Sequence, residues 1–327
     1  MPCTRIIGTG SYAPAKVLTN ADVEKLVETS DEWIRTRTGI SERRITTEDE
    51  ATSDLAYQAS LRALEAASVD PADLDMILVA TITPDMPFPS TACILQDRLK
   101  ARRTAALDIS AACSGFVYGL AVADGLLGLG SMRTVLLVGA ESLTKIVNWK
   151  DRNTCVLFGD GAGAVVLRAG EGERGILSTH LFADGAKGSL LMMPGGGSRH
   201  PLSQRALDEG LVAIQMANGN EVFKGAVRAM EDAALTALKH NHLDVGDVDL
   251  MIPHQANLRI IDAVRKRLGL SEDRVCVNVQ RFGNTSAASI PLALDEAVRG
   301  GRVKAGDLIL LCAFGGGLTW GSALIRW

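Results

Sequence analysis

The chain has 327 residues, 34 Lys and Arg against 38 Asp and Glu, and a formal net charge of −4. Forty-seven per cent hydrophobic and 22% charged residues exclude a disordered chain and describe a globular, enzyme-like one. Slight acidity argues against a general nucleic-acid binder, and no apolar run reaches the roughly 18 residues of a membrane span.

The first residues, Met1 to Gly8, lack a signal-peptide core and read as a first strand. A cytoplasmic protein without nucleic-acid or membrane partners is therefore expected. Next comes an amphipathic helix, with Ser53 as its expected N-cap and an apolar stripe of Leu55, Ala59, Ala63 and Ala67. The acidic turn Asp73–Asp75 feeds the apolar strand Met76–Ala80, and a further helix ends near Leu99. A short strand, Ala106–Ser110, leads to Cys113 and a small-residue helix. The apolar strand Thr134–Val138 follows, and a glycine turn opens the strand Gly163–Arg168.

The same order then recurs. Asn220 is the expected cap of a helix with the stripe Val222, Ala226, Ala229, Ala233 and Ala237. Asp247–Asp249 feed the strand Leu250–Ile252, and a helix ends near Leu268. A strand over Val275–Val279 precedes Asn284, and the apolar segments Asp307–Leu311 and Gly321–Arg326 close the chain. Apolar strands alternating with helices indicate α/β units around buried sheets. The repeat divides the chain into halves, 1–170 and 171–327, the first carrying extra residues around Glu141 to Phe158. Sites tend to form where such halves meet.

Three segments are candidates for chemistry. In Asp108–Phe116, Cys113 is expected at the start of a helix, where unpaired N–H groups and the macrodipole favour an anion. A thiolate there is a nucleophile of lowered pKa; a buried structural cysteine is the competing reading. The six cysteines (3, 93, 113, 155, 276, 312) form no CxxC or zinc spacing, so free thiols and no metal site are expected. In Met251–Ile260, His254 stands where a strand ends and a helix begins, as a proton handler or a core histidine. In Arg281–Pro291, Asn284 falls at almost the place of Cys113 in the other half. It reads as an oxyanion donor or an ordinary helix cap. The turn Phe314–Gly321 offers a further backbone N–H, or only a tight strand connection.

Taken together, these segments resemble the β-ketoacyl-acyl-carrier-protein synthase III family of thiolase-fold condensing enzymes. The motifs are Ala112-Cys113-Ser114-Gly115-Phe116, His254-Gln255-Ala256-Asn257, Gly283-Asn284-Thr285-Ser286-Ala287 and Gly315-Gly316-Gly317. The segments Asp31–Ile40 and Phe158–Ala164 match as well, so the resemblance spans the chain.

The resemblance implies a five-layered αβαβα homodimer and a ping-pong decarboxylative Claisen condensation of an acyl-CoA primer, acetyl-CoA first among candidates, with malonyl-acyl carrier protein. Cys113, His254 and Asn284 would be catalytic, and the N–H groups of Cys113 and Gly316 would form the oxyanion hole. Trp33, Arg37, Arg152, Asn220, Phe223 and Asn257 would hold coenzyme A. Phe88 would reach the partner's acyl pocket. Arg259 and Lys266, enlarged by Arg265 and Arg267, would dock the acidic carrier protein. No cofactor beyond the coenzyme A thioester substrate is implied. A thiolase-fold relative in secondary metabolism, a papain-type hydrolase and a non-catalytic scaffold are the competing functions; the segment around Cys113 lacks the papain-type C-G-S-C-W signature.

Overall fold

The computed structural model describes residues 2–327; Met1 lies outside the described residues. The core strands are β1 (Pro2–Tyr12), β2 (Met76–Ala80), β3 (Ala105–Ile109), β4 (Thr134–Ser142), β5 (Asp160–Glu171), β6 (Gly175–Ala183), β7 (Leu250–Pro253), β8 (Leu308–Gly315) and β9 (Thr319–Arg326). The principal helices are α1 (Asp31–Thr38), α2 (Thr52–Ala67), α3 (Thr91–Leu99), α4 (Gly115–Gly128), α5 (Gly219–His240), α6 (Leu258–Leu268) and α7 (Ser289–Arg299).

Two sheets form. The first has the order β1-β5-β4-β2-β3 and the second β6-β9-β8-β7. In the first, β2 is parallel to β3 and β4, while β5 runs antiparallel to β4 and β1. The second repeats this pattern, with β7 parallel to β8 and β9 antiparallel to β8 and β6.

Side-chain alternation separates the layers. Along β2, Met76 and Leu78 face a central cluster, while Ile77 and Val79 face an outer one. Along β8, Ile309 and Leu311 face the same central cluster, and Leu308 and Leu310 face the opposite outside. The central cluster is completed by Phe116 and Leu120 of α4 and Ile290 and Leu294 of α7. Helices α2 and α3 cover the first sheet, and α5 and α6 cover the second. The five layers αβαβα are thus built around the strands β2, β4, β7 and β8, buried on both faces, as their unbroken apolar runs require.

Close packing at the centre depends on missing side chains. A Cβ at Gly139 of β4 would overlap the Ala287 carbonyl oxygen, so only glycine lets the turn before α7 lie on the sheet.

Several local expectations are corrected. Ser53 is not the cap of α2: Ala51 occupies that position, and Asp54 accepts from its N–H at 2.7 Å. Ser53 instead bonds Asp85 through its N–H (2.9 Å) and hydroxyl (2.7 Å). Asn218, not Asn220, caps α5, its Oδ1 accepting from the N–H groups of Asn220 and Glu221. No strand forms over Val275–Val279. A single bridge joins Val275 to Met251, because the Gln255 side chain takes the Asn278 N–H at 2.9 Å and turns the chain away. Strand β6 escaped the sequence reading because Ser178, Thr179 and His180 interrupt its apolar character.

Candidate active site

Cys113 sits in a 3-10 turn, Ala112–Ser114, between β3 and α4. The turn is tied to the β8–β9 hairpin: Thr319 Oγ1 donates to the Ala111 carbonyl and Ser114 Oγ donates to the Thr319 carbonyl, both at 2.9 Å. A Cβ at Gly315 would lie 2.6 Å from the Cys113 nitrogen, so the hairpin backbone touches the nucleophile's own backbone. Opposite stands a matching turn, Ser286–Ala288, which runs into α7. Ala112 (φ +45°) and Ser286 (φ +47°) share the same left-handed geometry at corresponding places. This corrects the expected pairing: the residue equivalent to Cys113 is Ala287, and Asn284 lies three residues earlier.

Asn284 is held by its backbone. Its N–H donates to the Leu157 carbonyl (2.8 Å), and its carbonyl accepts from Gly159 (3.0 Å). Its Oδ1 accepts from the Ser286 N–H at 2.8 Å, which leaves Nδ2 as the group able to donate elsewhere.

His254 follows the last residue of β7 and is buried. Its N–H donates to the Cys312 carbonyl at 2.8 Å, and its Nδ1 pairs with Ser289 Oγ at 2.7 Å. The Gln255 N–H donates to the same Ser289 oxygen at 3.3 Å. The Ser289 oxygen already accepts from Gln255 and its hydroxyl hydrogen has no other acceptor among the described residues, so assigning that hydrogen to Nδ1 puts the ring proton on Nε2. Burial depresses the His254 pKa to about 3, so the ring is neutral near pH 7.

Cys113, His254 and Asn284 line one cavity of about 530 Å³. It extends from these buried groups past Phe223 and Asn257 to the exposed Arg37, Asn220 and Arg259. A second cavity, about 560 Å³, meets the first at Cys113 and is lined by Ile82, Leu143, Ile146, Ile214 and Gly316 among others. The two cavities share Cys113, Phe158 and Leu191.

The expected lowering of the Cys113 pKa is not what the structure gives. Burial pushes the thiol up to about 12, with the nearby Glu141 adding to the rise and Ser286 opposing it. Glu141 itself is fully buried at the end of β4. It accepts from Thr83 Oγ1 (2.6 Å), Thr81 Oγ1 (3.2 Å) and the Ile82 N–H, and burial pushes its pKa up to about 7. Neither Glu141 nor Ser289 was singled out in the sequence. Each acts across a contact between distant segments, so no local spacing marks it.

At the exposed end, Trp33 of α1 carries two guanidiniums over its ring, Arg37 at 5.7 Å and Arg152 at 5.1 Å. Asn257 caps α6 by accepting from the Arg259 N–H (2.8 Å) and donates to the Arg37 carbonyl (3.0 Å). Arg259 lies 5.6 Å over Phe223. The expected basic face of α6 is much reduced. Lys266 (2.7 Å) and Arg265 (2.6 Å) both pair with Asp262, and Arg267 pairs with Glu231 at 2.5 Å. Among the described residues, Arg259 alone of the four has no carboxylate partner. Phe88 is 84% exposed. No helix is long and apolar enough to cross a membrane, and no cluster of three His, Cys, Asp or Glu suited to a metal occurs among the described residues.

The family model of 3-oxoacyl-[acyl-carrier-protein] synthase III matches residues 107–185, and the model of its C-terminal part matches residues 238–327. A relative from Caldanaerobacter subterraneus subsp. tengcongensis, named beta-ketoacyl-[acyl-carrier-protein] synthase III, is 59% identical over 98% of this chain and 97% of its own. The crystal structure of 3-oxoacyl-[acyl-carrier-protein] synthase III from Aquifex aeolicus superposes with a TM-score of 0.92 at 51% identity, covering 99% and 100% of the two chains. A priming β-ketosynthase of the R1128 polyketide pathway also gives 0.92, at 37% identity over 99% and 96%. Full-length agreement of this kind, in sequence and in all five layers, places the chain in the β-ketoacyl-acyl-carrier-protein synthase III family of condensing acyltransferases.

Proposed function

We propose that Cys113 is the acyl carrier of a two-stage condensation, joining an acyl-CoA primer to malonyl-acyl carrier protein in fatty-acid initiation. The observation that carries this is the single cavity onto which Cys113, His254 and Asn284 all open, with a second apolar cavity branching at the thiol. One branch suits a pantetheine arm and the other an acyl chain.

In the first stage the Cys113 sulfur attacks the thioester carbonyl, the bond to the coenzyme A sulfur breaks, and the thiol proton ends on the departing coenzyme A. Burial holds the Cys113 sulfur as a thiol near neutral pH, so its proton has to leave as the sulfur attacks. The N–H groups of Cys113 and Gly316 receive the carbonyl oxygen as it becomes an oxyanion. In the second stage malonyl-carrier protein loses carbon dioxide, and the electron pair moves onto its thioester oxygen. Neutral His254, through Nε2–H, and Asn284, through Nδ2–H, donate to that enolate oxygen. A neutral imidazole suits this role because it needs no proton from solvent. The enolate carbon then attacks the carbonyl of acyl-Cys113, the bond to the cysteine sulfur breaks, and the departing sulfur takes up one proton from solvent.

Trp33 offers the coenzyme A adenine a stacking face, with Arg37 and Arg152 close to its phosphates. Asn220, Phe223 and Asn257 line the pantetheine path. Arg259 receives the carrier protein, while Lys266 contributes less because Asp262 already neutralises it. Phe88, with the exposed Met86 and Leu107 near edge strand β3, supports a homodimer in which Phe88 closes the partner's acyl pocket. The reading places the enzyme in the cytoplasm and requires no cofactor other than the coenzyme A thioester. Steady-state assays decide the donor: acetoacetyl-carrier protein from acetyl-CoA and malonyl-carrier protein supports the proposal. Preference for malonyl-CoA, or hydrolysis without carbon–carbon bond formation, contradicts it.

A second reading, polyketide priming, is favoured by the likeness to the R1128 enzyme. It keeps the same chemistry and differs in the primer, so acylation of Cys113 by longer or branched acyl-CoAs but not by acetyl-CoA would favour it.

A further inference from the structure

Arg43 is fully buried, yet it forms no ion pair with a carboxylate among the described residues. It belongs to a three-residue strand, Glu42–Arg44, that pairs with Val17–Thr19. Its Nη1 donates to Asn20 Oδ1 (2.8 Å) and the Leu18 carbonyl (3.3 Å), and its Nη2 donates to the Val156 carbonyl (2.7 Å). Its Nε has no partner. The buried carboxylate of Asp160 is occupied by Thr46 and Thr144 instead. A buried charge held only by neutral dipoles is costly, and an apolar side chain of similar volume usually serves stability better. Stability alone therefore does not account for this arginine.

Its contacts converge on Asn284. Val156, whose carbonyl it grips, precedes Leu157, whose carbonyl takes the Asn284 N–H. The stem packs under both ends of the same bridge: Cβ atoms added at Gly159 and Gly283 would meet the Arg43 Cβ at 3.0 and 3.3 Å. Gly159 donates to the Asn284 carbonyl, and Gly283 is its chain neighbour. Asn284 is thus clamped between two backbone segments that Arg43 holds from behind.

We propose that Arg43 is the positioning residue for the Asn284 amide, acting through the backbone segments it grips. Burial brings the guanidinium's pKa down to about 10, which leaves it protonated near neutrality. The inference rests on the assignment of Asn284 to the decarboxylation stage.

The test separates the two half-reactions in the full-length enzyme with Arg43→Met, Arg43→Lys and Asn284→Ala. Acylation of Cys113 by acetyl-CoA is followed by mass, and carbon dioxide release from malonyl-acyl carrier protein by a coupled assay. For Arg43→Met, acylation within about threefold of wild type and decarboxylation slowed about 100-fold are expected, the size of one lost oxyanion donor. Arg43→Lys keeps the charge but not the fork, and should fall between. If Arg43→Met does not fold, the lysine variant decides alone: kcat for malonyl-carrier protein drops while its KM holds. Equal losses in both half-reactions, or unimpaired decarboxylation, overturn the proposal. Decarboxylation that survives Asn284→Ala instead overturns the underlying assignment, and the Arg43 proposal falls with it. Loss in Asn284→Ala with none in the Arg43 variants overturns only the latter.

Discussion

Replacing Ser289 by alanine removes the only side-chain hydrogen-bond partner that His254 has among the described residues. The bond is short, 2.7 Å, and joins two buried atoms, so no water substitutes for it cheaply. A buried neutral hydrogen bond of this kind is worth about 1–1.5 kcal/mol. The Ser289 hydroxyl hydrogen has no other acceptor among the described residues, so that energy favours the tautomer with its proton on Nε2, the one that donates to the enolate oxygen. Losing it lets the other tautomer compete, and about 1.4 kcal/mol corresponds to about tenfold in population or rate. Ser289→Ala should therefore slow malonyl-carrier-protein decarboxylation about tenfold. Acylation of Cys113, which does not use His254 as a donor, should stay within about twofold. Single-turnover acylation and carbon dioxide release, measured on one preparation, separate the two. Equal slowing of both stages would refute the tautomer argument and leave Ser289 a packing residue.

Other consequences follow from the same geometry. Glu141 has a folded pKa of about 7 against 4.5 for the free side chain, so its contribution is full below pH 4.5 and is lost as pH rises through 7. His254, at about 3 against 6.5, acts oppositely and costs stability as pH falls below 6.5. The two slopes offset each other between pH 4.5 and 6.5. Urea unfolding of Glu141→Gln should show stability rising with pH there by roughly 2 kcal/mol, whereas wild type stays flatter; a variant whose slope equals that of wild type contradicts the buried-carboxyl account. Gly139→Ala drives a Cβ into the Ala287 carbonyl and should cost about 3 kcal/mol in thermal unfolding. Gly125→Ala, in open space on α4, should gain about 0.5–1 kcal/mol. Equal melting temperatures for the pair would count against the packing at the centre. Arg259→Ala should raise the KM for malonyl-carrier protein about tenfold, and Lys266→Ala less than about threefold, because Asp262 already holds that ammonium. The reverse order would return docking to the whole helix face.

The layers were legible because unbroken apolar runs and a 3.6-residue apolar period fall on residues that are buried. Leu55, Ala59 and Ala63 mark α2, and Met76–Ala80 mark β2, by their apolar pattern alone. The two helices ending near Leu99 and Leu268 do end there. Caps were placed less well, since Ser53 and Asn220 compete with Ala51 and Asn218 for one position, and the contest is settled by Asp54 and by the Asn218 side chain. Strand β6 carries no apolar run, and only its pairing with β9 makes it a strand. In the site, motif segments brought Cys113, His254 and Asn284 to notice, and all three line one cavity. Their electrostatics stayed hidden. The thiol pKa depends on depth of burial, and the charge of α6 depends on which acids reach its arginines. Arg43, Glu141 and Ser289 act through contacts across 113, 58 and 35 residues of chain, which local spacing does not report.

The most direct measurement is intact-mass spectrometry of wild type and Cys113→Ala, first with acetyl-CoA and then with malonyl-acyl carrier protein. The account predicts an acetyl adduct on the wild-type chain, absent from Cys113→Ala, that is discharged on adding malonyl-carrier protein as acetoacetyl-carrier protein appears. An adduct that survives in Cys113→Ala, or no adduct from acetyl-CoA or any longer acyl-CoA, would contradict it.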